Sequence, residues 1–146
     1  MTRSPFRRQG LLIAAAMIGL SGAICPDLGP DPDLATMMIF LPGNDTVIVD
    51  LGSGQVESGP IAMFDDINVS VEFYASNGEP DGRVTELRFR VDITPDDSTI
   101  VTFTRANGFA GTLIKHATGT TSLRFALFNL ETQANEFAWP VETVVN

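Results

Sequence analysis

The chain has 146 residues, 44% of them hydrophobic, with 18 acidic residues against nine basic ones and a formal net charge of −9. That length suits one domain with a single core, and the negative charge repels nucleic acid and anionic membrane surfaces. A lone histidine and a lone cysteine exclude a multi-histidine metal site and an intramolecular disulfide.

At the N-terminus, Arg3, Arg7 and Arg8 precede an apolar run from Leu11 to Leu20, and the small residues Ser21, Gly22 and Ala23 follow. This is the charged, apolar, small-residue order of a secretory signal, and Ser21 and Ala23 have the spacing of a cleavage site. The run is shorter than the roughly 20 residues of a stable membrane span, and Asp27, Asp31 and Asp33 come soon after it, so no stable transmembrane span is expected in the mature form. Cys25 sits just beyond the run and resembles the lipidated cysteine of a bacterial lipoprotein signal, although Ile24 stands where that signal normally carries Gly, Ala or Ser. Residues 1–24 are therefore assigned to a signal peptide and residues 25–35 to a Pro-, Gly- and Asp-rich linker or tether, leaving 36–146 as the folded domain. The expected location is therefore outside the cytoplasm, secreted or periplasmic, with lipid anchoring through Cys25 as the alternative. Removing three arginines from nine basic residues leaves six against 18 acidic ones, a mature charge of −12.

The domain reads as short Val-, Ile-, Phe- and Thr-rich runs ended by Gly, Pro, Asn or Asp, the pattern of an all-β chain. Thr36–Leu41 is apolar throughout and fits a buried strand or a short helix, ended by Pro42, Gly43 and Asn44. In Asp45–Leu51, Val47, Val49 and Leu51 point inward. Gly52–Pro60 reads as a loop around a short strand at Gln55–Glu57. Ile67, Val69, Val71 and Phe73 alternate with Asn68, Ser70, Glu72 and Tyr74, the period of a half-buried strand. The alternation returns at Thr85, Leu87, Phe89, Val91 and Ile93, and the loop Ser76–Arg83 between the two runs is expected to reverse the chain and pair them. A turn at Thr94–Asp97 follows, then Thr99–Thr104 and Phe109–Lys115 around Asn107-Gly108, the dipeptide of a type I′ hairpin turn. Leu123, Phe125 and Leu127 mark another strand, and Phe137, Trp139 and Val141 the last, where Pro140 calls for a sheet edge or a bulge.

The expected fold is all-β: a small antiparallel β-sandwich of about seven or eight strands, immunoglobulin-like in general architecture, with a closed barrel as the second choice. That likeness rests on strand pattern alone and implies no activity.

Groups able to carry chemistry are sparse. His116 follows Lys115 at a strand end, where a solvent-facing role is expected. Gly52-Ser53-Gly54 is only a fragment of a nucleophile elbow and lacks the residues of a phosphate cradle. The acid pairs Asp65 with Asp66, Asp96 with Asp97, and Glu79 with Asp81 would serve glycosidase chemistry only if two carboxylates faced each other across a groove. Asp65 and Asp66, joined by Asp96 and Asp97 or by Asp31 and Asp33, are the best calcium candidates. The loop Asn77, Glu79, Asp81, Gly82 loosely resembles the start of an EF-hand, with Arg88 where the bidentate Glu belongs. Tyr74, on the polar face of its strand, is a candidate ligand contact, whereas Trp139 is expected in the core. The expected function is a non-catalytic exported module of the cell envelope that binds or tethers an envelope or extracellular protein or glycan. It needs no cofactor, unless calcium, and no nucleic acid. The alternatives are a calcium-stabilised adhesion or matrix module and a small hydrolase using loop carboxylates.

Overall fold

The computed structural model describes residues 32–146; the expected signal peptide, Cys25 and residues 26–31 of the tether lie outside the described residues. Nine strands follow one another: β1 (Leu34–Phe40), β2 (Thr46–Asp50), β3 (Ile61–Met63), β4 (Ile67–Ala75), β5 (Phe89–Pro95), β6 (Val101–Arg105), β7 (Ala110–Lys115), β8 (Gly119–Asn129) and β9 (Ala134–Val145). They form two sheets, one ordered β2-β1-β4-β7-β6 and the other β3-β9-β8-β5, stacked as a β-sandwich. β1 begins at Leu34, inside the stretch assigned to the tether.

The alternation of side chains builds the interior. Ile39, Val49, Val71 and Leu113 from the five-stranded sheet meet Phe89, Phe125, Leu127 and Val141 from the four-stranded sheet in one buried cluster. Each such side chain contributes roughly 1.5–3 kcal/mol when fully buried, so this seam dominates the stability of the fold.

Four expectations about the strands are corrected, and a fifth, the type I′ turn, is corrected below. The sheets are not purely antiparallel, because β3 runs parallel to β9, from Ile61 opposite Thr143 to Met63 opposite Val145. The loop Ser76–Arg83 does not pair its flanking strands: β4 pairs with β1 and β7, whereas β5 pairs with β8 in the other sheet. It is a crossover between layers. The strand expected from Thr85 starts only at Phe89, because the Arg88 and Phe89 amides both donate to the Thr85 carbonyl at 3.0 and 2.8 Å. That single turn shifts the phase of the chain, leaving Leu87 87% exposed and Arg88 6% exposed, the reverse of the expected faces. Finally, Gln55–Glu57 forms no strand but one bridge, Val56 opposite Val49.

The β6–β7 hairpin is present, with Arg105 opposite Gly111, but its turn is not type I′. Neither Asn107 nor Gly108 takes a positive φ. Instead the Ala106 and Asn107 amides both donate to the Ala110 carbonyl, and Asn107 Oδ1 accepts the Phe109 amide at 2.8 Å. The tip is held by tertiary bonds: the Gly108 carbonyl accepts the Val91 amide of β5 at 2.7 Å, and Arg105 Nη2 donates to the Val91 carbonyl at 3.1 Å and to Asp92. These contacts close one flank of the sandwich between the edge strands β5 and β6. Near the other flank Trp139, half-buried against the core, covers Gly54. A Cβ at Gly54 would come within 2.7 Å of the indole, and its φ of +73° also requires glycine.

Candidate functional site: a groove beside β4

The crossover from β4 to β5 folds back along the β7-facing edge of β4, beyond the end of β7. Glu79 accepts the Ala75 amide at 3.0 Å, and the Asp81 amide donates to the Phe73 carbonyl at 2.9 Å, making a single bridge of Tyr74 with Pro80. From the other direction the β7 ladder ends at Ser70 opposite Ala110, followed by one more bond from the Val71 amide to the Phe109 carbonyl at 2.9 Å. Among the described residues, none is therefore paired opposite Glu72 on this edge.

The two bonds that would have closed the gap are diverted. In a strand the N–H and C=O of one residue point to the same side, so the Val71 carbonyl and the Phe73 amide face the same edge as their bonded partners. The Phe109 amide, which would reach Val71, is taken by Asn107 Oδ1. The Asp81 carbonyl, which would reach Phe73, accepts the Val84 amide at 3.0 Å instead. The side chains of Val71 and Phe73 are buried in the core, and this carbonyl and this amide make no hydrogen bond among the described residues. They are an acceptor and a donor left open on the strand edge on either side of Glu72.

The gap opens into a groove of about 430 Å³, within the size range of ligand clefts. Val84, Pro80 and Phe109 supply apolar wall, and Phe109 meets Phe73 edge-on with centroids 6.4 Å apart. Glu72, Asp81, Glu86 and Asn107 supply the polar lining. Asp81 is neutralised by Arg83, whose Nη2 lies 2.6 Å from Oδ2; these bonds hold its carboxyl below the usual carboxylate range. Glu72 and Glu86 form no ion pair among the described residues. Glu72 accepts the Tyr74 hydroxyl at 2.8 Å, a bond that raises the phenol pKa, and Glu86 accepts the Gly108 amide at 3.3 Å.

The residues singled out from the sequence fall in several places. Tyr74 does not line the groove but steadies Glu72, which does. Asp65 and Asp66 stand between β3 and β4 beside Lys115 and His116, with Asp66 accepting the Lys115 amide at 2.8 Å. Asp96 and Asp97 stand between β5 and β6, and Asp97 accepts the amide and hydroxyl of Thr99, bonds that lower its pKa. Asp33 accepts the Ser76 hydroxyl at 3.0 Å, and Asp31 lies outside the described residues. No group of three or more His, Cys, Asp or Glu side chains able to hold a metal ion is found among the described residues. His116 Nε2 lies 2.8 Å from the Thr102 hydroxyl. Ser53 of the Gly-Ser-Gly fragment is engaged by Asp50, to which it gives its amide at 2.7 Å and its hydroxyl at 2.9 Å.

Sequence reading missed the groove itself. The local signals are Pro80, which has no N–H to extend a ladder, and Asn107, whose side chain competes for a backbone amide. No helix of the described residues is long and apolar enough to cross a membrane. Comparison with protein-family models, curated proteins and solved structures finds no match.

Proposed function

We propose that the protein is a non-catalytic, exported binding module of the cell envelope, an immunoglobulin-like sandwich in general architecture, with the groove beside β4 as its binding site. The observation that carries this reading is that the Val71 carbonyl and the Phe73 amide at the groove wall have no hydrogen-bond partner among the described residues. A donor and an acceptor left open side by side in a part-apolar cleft favour a ligand that supplies both. The order of Arg3, Arg7 and Arg8, the apolar run and Ser21–Ala23 supports export, and Cys25 supports lipid anchoring as the alternative to free secretion. Rigid strands make the wall, which suits recognition without rearrangement.

The test is a titration of the isotopically labelled full chain with short peptides, cell-wall glycan fragments and polysaccharides, read by amide chemical shifts. Shifts confined to Val71, Phe73 and the tip from Asn107 to Ala110 are expected with one of these classes. Unchanged groove signals with all of them, or turnover of a substrate that stops when the loop carboxylates are replaced, would overturn the reading. Mass spectrometry of the N-terminus isolated from cells tests export: Ile24 or a lipidated Cys25 supports it, and an uncut Met1 contradicts it.

A further inference from the structure

We infer that the groove takes one residue of a basic peptide, that residue running parallel to β4 beside Glu72 and its neighbours turning out of the groove. The inference rests on the reading of the groove as the binding site and names the ligand class that its geometry selects.

The argument for a peptide comes from the ladder. In a parallel pair one residue gives its N–H to the carbonyl before the facing residue and takes the N–H after it. The Val71 carbonyl and Phe73 amide are the two groups that flank Glu72, so a single guest residue satisfies both. An antiparallel guest would have to make these two bonds with two residues, seated opposite Val71 and Phe73, positions already held by Phe109 and Asp81; a parallel guest makes both with the one residue opposite Glu72, and its neighbours can turn away from the strand edge. The vacancy thus sets the direction as well as the chemistry of its occupant, a one-residue form of strand addition.

The argument for a basic peptide comes from the rim. Glu72 and Glu86 line the groove without an ion-pair partner among the described residues, whereas the third acid, Asp81, is compensated by Arg83. A lysine or arginine side chain on the guest residue, or next to it, neutralises the two open carboxylates. An acidic guest meets their repulsion in a domain whose mature charge is strongly negative. The apolar walls from Val84 and Phe109 suit the methylene stem of such a side chain.

Four probes test this on the labelled full chain: the blocked tripeptide acetyl-Ala-Lys-Ala-methylamide, the same peptide N-methylated at the lysine nitrogen, the same peptide with glutamate for lysine, and chitotriose. The lysine peptide is expected to move the Phe73 amide proton downfield and to shift Val71 and Phe109. N-methylation removes the donor to the Val71 carbonyl and should weaken binding about tenfold, the worth of one hydrogen bond. In the double variant Glu72→Gln, Glu86→Gln, which alters only exposed side chains, the preference for lysine over glutamate should fall about fivefold, with the melting temperature as the control for folding. Equal binding of the N-methylated peptide, or an undiminished lysine preference in the double variant, would overturn the inference. Groove shifts with chitotriose and none with the peptides would also overturn it while leaving the groove as a binding site. Silence with all four would overturn this inference; silence extending to the broader ligand set would remove the binding-site reading as well.

Discussion

Replacing Asp81 by asparagine probes the anchor that holds the fold-back segment against β4. The Asp81 side chain is 4% exposed; its Oδ1 accepts the Arg83 amide at 3.0 Å and Nε at 2.8 Å, and its Oδ2 accepts Nη2 at 2.6 Å. Asparagine keeps one oxygen but sets an amino group against Nη2, so one charge-assisted bond is lost, worth about 1.5–3 kcal/mol. The Arg83 side chain is 36% exposed and can turn toward water, which puts the expected loss at the lower end, about 1.5–2 kcal/mol. For a domain of this size that is a fall of roughly 6–8 °C in Tm. The pH dependence follows from the lowered Asp81 pKa, whose first cause is the side-chain bond to Arg83. A depressed carboxyl stabilises the folded state above its unfolded pKa of about 3.9 and loses that stabilisation as the pH falls through the folded value. Thermal melts of both proteins by circular dichroism should therefore differ fully at about pH 7 and converge below about pH 4. A difference under about 0.5 kcal/mol at neutral pH, or one that persists undiminished in acid, would refute the reasoning.

The corrected phase before β5 predicts opposite costs for two neighbours: Leu87→Ser should change stability by less than about 0.5 kcal/mol, whereas Phe89→Ala should cost about 3–5 kcal/mol, both read by chemical denaturation. Equal costs would restore the uninterrupted strand. Gly54→Ala should lose about 1–2 kcal/mol for its left-handed backbone and push the single tryptophan, Trp139, toward water, so its fluorescence emission should shift to the red; an unmoved spectrum and melt would contradict the packing. Because Asp66 and Asp97 already accept backbone amides and the two acid pairs lie in different turns, millimolar calcium should leave Tm where a chelator leaves it, and a clear rise would favour the calcium-stabilised reading.

Much of the fold was legible because burial on one face of a strand imposes a period of two on the sequence. Val47, Val49 and Leu51, and likewise Val69, Val71 and Phe73, point where their spacing says. What failed was set by contacts distant in the chain. Thr85 and Leu87 continued the alternation of β5 by coincidence, and a turn closed on the Thr85 carbonyl overrode it. Asn107-Gly108 would suit a type I′ turn in isolation, but bonds from the tip to Val91 and Val71 fix another geometry. β3, three residues long, is too short for alternation to mark it and exists because β9 offers a partner. Of the groove lining, the sequence pointed only to Asp81 and Gly82 of the crossover loop, and to Tyr74, which steadies Glu72 from beside it. The orphaned carbonyl and amide depend on which backbone groups Asn107 and Val84 capture, and side-chain periodicity carries no trace of that.

The central claim is that the β4 edge is open opposite Glu72, and amide hydrogen exchange of Phe73 tests it most directly. In the unliganded full chain the Phe73 amide should exchange much faster than the Val71 amide two residues away, which is bonded to the Phe109 carbonyl. Equal, strong protection of both amides would mean that the edge is closed and that the groove has no open backbone pair to offer.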